Sequence, residues 1–222
     1  MNPKSTHAVL ALAACLLAGG CALPQPRDLT LGPSYRPQNV FVPVPALPPS
    51  IKRVAVLPLL VSGDSSTLLE GRETLEPVLQ AELAKTGKFE VFYAGPEFVR
   101  SRTGRSSWGG EDALPPEFFV RLHESSGCDA VLFCQLTAFR SYSPLAVGWR
   151  LRLVDARTRE TLWAADEVFD AGQRQVQAGA RRYQLAQLRT TTEDLDEWSV
   201  LTSPRQFGQY AAAQLVATLP SP

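Results

Sequence analysis

The chain has 222 residues, enough for one domain with a sizeable core after short terminal segments are set aside. Its 22 Lys and Arg balance 22 Asp and Glu, so no global field favours nucleic acid as a partner. Four cysteines and two histidines, with no Cys-x-x-Cys and no His pair, give no zinc-ligand spacing, and no cofactor is expected.

In chain order, residues 1–20 read as a secretory signal. Lys4 supplies the positive start, residues 8–18 an apolar core, and Gly19-Gly20 the small residues before a cleavage site. The apolar core is too short for a membrane-spanning helix. Leu16-Leu17-Ala18-Gly19-Gly20-Cys21 resembles a lipobox, which makes Cys21 the expected acylation site, with Ala18 standing where Leu is commonest. Leu12-Ala13-Ala14-Cys15 is a rival, but cutting there leaves only residues 8–14 as the apolar core. Ala22 after the cysteine implies sorting to the outer membrane, facing the periplasm. Residues 21–50 follow as the lipidated cysteine and a tether carrying Pro24, Pro26, Pro33, Pro37, Pro43 and more. Such a segment favours extended polyproline conformation, with a reach of up to about 90 Å. Residues 40–44 are the part that could instead lie along the domain.

The folded domain is expected over residues 51–222. Residues 54–61 read as a strand buried on both faces. A helix capped by Ser66 or Thr67 follows, with Leu75, Val78, Leu79 and Leu83 on its apolar stripe, and Gly87 ends it. Pro77 inside it is expected to bend or split it. Residues 89–93 form a second strand, and Gly95-Pro96 opens a short helix. After a polar, Gly-rich loop at 101–114, Pro115-Pro116 start a helix with Phe118, Phe119 and Leu122 on one side. Residues 129–142 make a long strand. Residues 146–154 alternate, with Val147, Trp149, Leu151 and Leu153 inward and Arg150 and Arg152 outward. Residues 160–169 return as the hairpin partner, and helices over 173–189 and after Ser203-Pro204 complete the chain. Early strands alternate with helices and later ones run consecutively. The fold class is therefore α/β (α+β): one mixed sheet of about five strands, with an antiparallel meander in its C-terminal half and helices packed on it.

No assembled catalytic set emerges. Gly63-Asp64-Ser65 resembles the nucleophile block of the Gly-Asp-Ser lipases, but the family's Asn block and its Asp-x-x-His are missing. His123 reads as a helix-surface histidine at the core boundary. Asp166 and Glu167 are the candidate carboxylate pair, with Asp166 on a face otherwise apolar. Cys128 and Cys134 read as buried free thiols, too far apart along a strand for a bridge. Arg100, Arg102 and Arg105 surround the Gly-rich loop with Trp108. An exposed Trp beside arginines is the composition of an interface, weighed against a solvated loop.

Three stretches carry a resemblance to a known group. These are Arg53-Val54-Ala55-Val56-Leu57-Pro58, Gly127-Cys128-Asp129-Ala130-Val131-Leu132, and the hairpin from Leu153 to Trp163, in which Arg159 replaces the usual turn Gly. They resemble small α/β envelope lipoproteins: the TolB amino-terminal-like domain, the curli-secretion lipoprotein and the penicillin-binding-protein activator. The resemblance implies a non-catalytic domain that works by contact with an envelope protein partner, anchored to the membrane through its N-terminal lipid. An envelope hydrolase using Ser65 or the Asp166/Glu167 pair, and a structural subunit of a secretion or pore complex, remain as alternatives. Against the pore, a lipid-facing Arg150 or Arg152 at mid-bilayer costs about 2–4 kcal/mol.

Overall fold

The structure, a computed structural model, describes residues 35–63, 65–188 and 199–222. Cys15, Cys21, the signal, the first part of the expected tether and Asp64 lie outside the described residues.

A mixed seven-stranded sheet organises the domain, in the order β1 (Val40–Phe41), β7 (Thr161–Asp170), β6 (Ala146–Asp155), β5 (Ala130–Arg140), β2 (Arg53–Val56), β4 (Glu90–Tyr93), with β3 (Leu60–Val61) also paired to β5. The early strands are parallel: β2 pairs β4 and β5, and β3 pairs β5. The β5–β6–β7 meander is antiparallel. Both features are those the order of elements dictates.

The sheet has two more strands than expected, and both follow from prolines. The run at 54–61 is not one strand. Pro58 has no N–H to give to a ladder. Three residues, Leu57 to Leu59, therefore stand opposite two, Phe133 and Cys134, before pairing resumes at Leu60↔Gln135. The second extra strand, β1, comes from the proline-rich segment. Its two non-proline residues pair antiparallel to β7 as Val40↔Ala165 and Phe41↔Ala164. An edge strand needs donors on one side only, so flanking prolines are tolerated there. Further on, Leu47 N donates to Ser221 O at 2.8 Å, and Leu47 is 3% exposed. The packed domain thus begins before residue 51.

Helices cover both faces. On one side lie α1 (Ser66–Lys85), α4 (Arg174–Leu188) and α5 (Pro204–Val216). They close the main core, in which Trp149, Trp163, Phe169, Phe207 and Tyr210 are fully buried. The α1 helix runs through Pro77 without splitting, its stripe held against α5 and β5. Gly71 lets it come close: a Cβ there would stand 2.6 Å from Phe139 Cγ. On the other side, α2 (Pro96–Thr103) and α3 (Phe118–Ser126) cover a smaller core around Val131, Phe133, Phe118 and Leu122. Gly127 ends α3 at φ 67°, a left-handed position that suits glycine. The β6 alternation places Trp149, Leu151 and Leu153 in the main core and Arg150 and Arg152, half-buried, on the second face.

The β6–β7 turn contains the departure noted in the sequence. Arg159 sits at φ 62°, in the left-handed region, where a side chain costs about 1–2 kcal/mol relative to the right-handed form.

Candidate functional site

The side chains that a catalytic reading requires are held apart. Ser65 is the exposed N-cap of α1, and its hydroxyl makes no capping bond. His123 lies on α3, on the opposite face of the sheet. Its Nδ1 is 2.7 Å from Cys128 O; a carbonyl only accepts, so Nδ1 carries the proton. Asp166 and Glu167 are neighbours in β7 and therefore project to opposite faces. Asp166 accepts from Arg150 Nε at 2.7 Å on the second face. Glu167 holds the chain at the sheet edge. Its Oε1 accepts from Tyr35 Oη at 2.6 Å, and its Oε2 from the amides of Gln38 and Asn39 at 2.7 and 3.1 Å. The two carboxylates thus serve two structural purposes and form no dyad. Cys128 and Cys134 are free and buried, as the sequence suggests, and burial pushes both thiols up, away from the nucleophilic thiolate. Among the described residues no group of three His, Cys, Asp or Glu could hold a metal ion, and no helix is long and apolar enough to cross a membrane.

The Gly-rich loop differs from expectation at its centre. Trp108 is 4% exposed, not an exposed anchor. Its ring packs edge-on against Phe118 with centroids 5.5 Å apart, and its Nε1 donates to Thr103 Oγ1 at 2.7 Å. The physical reason is the shortness of α2 and α3. They leave the second face of the sheet incompletely covered, and the Trp108 ring fills the gap. The loop is then fastened to β6. Arg152 Nη1 donates to Gly110 O at 2.6 Å, and Arg150 Nη1 lies 3.3 Å from Glu111 Oε2. The arginines remain outside. Arg105 stacks over the Trp108 ring at 4.3 Å and pairs with Asp112 at 3.4 Å. Arg100 pairs with Glu97 at 3.6 Å, and Arg102 lies over Phe98 at 5.9 Å.

Concave surfaces remain on this side of the molecule, among them one of about 290 Å³ between α2 and α3 that Arg102 and Arg121 line. A groove of about 170 Å³ runs beside the Glu111–Arg150–Asp166 ion pairs, with Phe41 on its edge; Val168, on the same face of β7, is exposed. A larger cleft of about 380 Å³ opens between α3 and the β6–β7 turn. Its floor includes Ile51, Phe119 and Ala156, and its walls carry Val120, His123, Glu124, Arg157 and Arg159. Two aspartates in its lining are already engaged. Asp129 Oδ2 accepts from the amides of Lys52 and Arg53 at 2.9 Å each, and Asp155 Oδ1 from those of Arg157 and Thr158 at 2.8 and 2.9 Å. No motif or periodicity in the sequence marks this cleft. The one signal that pointed to it was Arg159, an arginine where the turn calls for glycine.

No protein-family model matches the chain, and no curated protein matches it. Solved structures do. PelC from Paraburkholderia phytofirmans, a dodecamer, is 15% identical over 82% of this chain and 96% of that one, with a TM-score of 0.45. The lipoprotein GNA1162 from Neisseria meningitidis is 24% identical over 61% of this chain and 99% of that one, with a TM-score of 0.43. The C-terminal domain of LpoB from Escherichia coli is 19% identical over 58% of this chain and 86% of that one, with a TM-score of 0.37. TolB from Acinetobacter baumannii is also among them, 14% identical over 69% of this chain and 31% of that one, with a TM-score of 0.28, so the neighbours include names from the group that the sequence resembles.

Proposed function

We propose that the chain is a periplasmic lipoprotein, held at the outer membrane through acylated Cys21, that serves as a non-catalytic binding or accessory subunit of a cell-envelope assembly. One observation carries the reading. The candidate carboxylates and His123 are engaged in holding the fold, and exposed Ser65 lies across the sheet from His123, whereas the second face keeps a cleft and a groove open to a partner. Glu167 fastens the edge segment, Asp166 holds Arg150, and His123 is bonded to the Cys128 carbonyl. Exposed apolar side chains stand beside the openings, Val120 at the cleft and Phe41 and Val168 at the groove. The lipobox and the proline-rich stretch add an anchor and a spacer. Arg100 and Arg102 on α2 and Arg105 in the Gly-rich loop are left for contact, with Trp108 seating that loop.

Two measurements test this. In the full-length chain, Cys21→Ser should abolish acyl labelling and release the protein from the membrane fraction; labelling that persists would move the modification to Cys15. Crosslinking in intact envelopes should join the protein to an envelope partner. A purified domain that turned over a substrate with no partner present would overturn the reading.

A further inference from the structure

If the chain acts by binding an envelope protein, as proposed above, the cleft between α3 and the β6–β7 turn has the chemistry to hold it. Counted as formal charge the lining is slightly acidic, with three carboxylates against two guanidiniums; counted as groups still free to bond it is the reverse. Asp129 and Asp155 are engaged with main-chain amides, which leaves Glu124 as the one uncommitted carboxylate in the lining. Against it stand two exposed arginines. Arg157 has no ion pair among the described residues. Arg159 has none either; its Nη2 donates only to Pro116 O, at 3.2 Å. The turn holds Arg159 at a left-handed backbone position that glycine would occupy without strain.

The apolar lining is continuous with this basic wall. Phe119 and Ile51 form the floor, and Val120, 49% exposed, stands at the opening. Because His123 Nδ1 donates to Cys128 O, Nε2 is left to accept. The volume, about 380 Å³, is near the small end of ligand pockets and suits a few side chains of an extended segment rather than a helix laid along a groove.

We propose that this cleft seats an extended segment of the envelope partner that carries an Asp or Glu beside an apolar residue. The carboxylate sits on Arg157 and Arg159, where a guanidinium fork matches its geometry. The apolar side chain lies over Phe119 and against Val120. His123 Nε2 accepts a main-chain N–H of the segment.

The test uses a photo-crosslinking amino acid, p-benzoylphenylalanine, placed in the full-length lipoprotein in its native cells. Three positions are compared: Val120 at the cleft, exposed Arg105 in the Gly-rich loop, and Tyr142, 71% exposed in the β5–β6 connection at the far end of the same strands. Val120 should give an adduct and Tyr142 none. The crosslinked peptide, sequenced by mass spectrometry, should carry an acidic residue next to an apolar one. Adding Arg157→Ala and Arg159→Gly should weaken the Val120 adduct by about three- to fivefold, the range exposed ion pairs reach. Arg159→Gly relieves the turn, so a folded variant is available for this comparison. An adduct at Tyr142 or at the Gly-rich loop, with none at Val120, would overturn the cleft and leave the accessory-protein reading standing. An adduct at Val120 to a basic or wholly polar segment, or one indifferent to both arginines, would overturn the stated chemistry. The absence of an adduct at all three positions would overturn both readings.

Discussion

Glu167 is the sharpest place to test how the N-terminal segment is held. Its carboxylate accepts three hydrogen bonds from that segment, one from a phenol and two from main-chain amides. Bonds to a charged acceptor net about 1.5–3 kcal/mol each when buried. Glu167 is half-buried and its amide partners are exposed, so about 1 kcal/mol each is the appropriate discount. Glu167→Ala should therefore cost the attachment of residues 35–41 about 2–3 kcal/mol. Because β1 pairs through two residues only, the loss should appear as local release and not as unfolding of the core. Hydrogen exchange followed by mass spectrometry should show peptides from that segment exchanging about 30- to 150-fold faster, at 1.36 kcal/mol per factor of ten, while β5 and β6 keep their protection. Glu167→Gln should keep at least half of the attachment. Its amide oxygen can still accept from Gln38 and Asn39, and its NH₂ can donate to the Tyr35 hydroxyl. Wild-type protection of residues 35–41 in the Ala variant would refute the assignment of Glu167 as the fastening.

Further outcomes follow from the same geometry. Trp108→Ala removes a fully enclosed ring and should cost about 3–4 kcal/mol by urea denaturation, whereas Arg102→Ala should stay within about 0.5 kcal/mol; equal effects would mean the loop is not seated by the ring. Gly71→Ala should destabilise by about 1–3 kcal/mol despite better helix propensity, because its Cβ would meet Phe139 Cγ at 2.6 Å and Leu136 Cδ2 at 2.7 Å; a neutral result would show that these side chains give way. Burial pushes the Tyr183 phenol from 10.0 up to about 12, and Tyr210 is raised in the same direction by burial. A raised folded value means the contribution is intact below the unfolded value and is lost as pH climbs through the folded one. The urea midpoint should therefore fall between about pH 10 and pH 12, and a flat midpoint across that window would contradict it.

Periodicity made the meander legible. Arg150 and Arg152 between Trp149, Leu151 and Leu153 fix which face of β6 meets the main core, and the structure keeps that assignment. The buried run at 54–61 was legible in its burial but not in its break, because hydropathy does not register that Pro58 lacks a donor. The burial of Trp108 is not legible in the sequence for the opposite reason. A single aromatic in a polar, Gly-rich loop has no periodic partners, and only the short span of α2 and α3 shows that the sheet needs it. Glu167 reads in sequence as half of a carboxylate pair. Its real partners lie 132 and fewer residues away, in a segment whose prolines spoke for an unattached spacer.

The edge attachment also has a mechanical side. A pull on the chain from the N-terminal side of Tyr35 reaches the sheet through the Glu167 bonds and the two-residue β1 ladder before it loads any strand of the core. Leu47, buried and bonded to Ser221, is the next fixed point. If the outer fastening gives way first, residues 35–46 come free as slack. Twelve extended residues at about 3.3 Å each lengthen the leash by about 40 Å while the sheet stays intact. On the tether proposed above, the domain would then have two lengths of reach, with tension selecting between them.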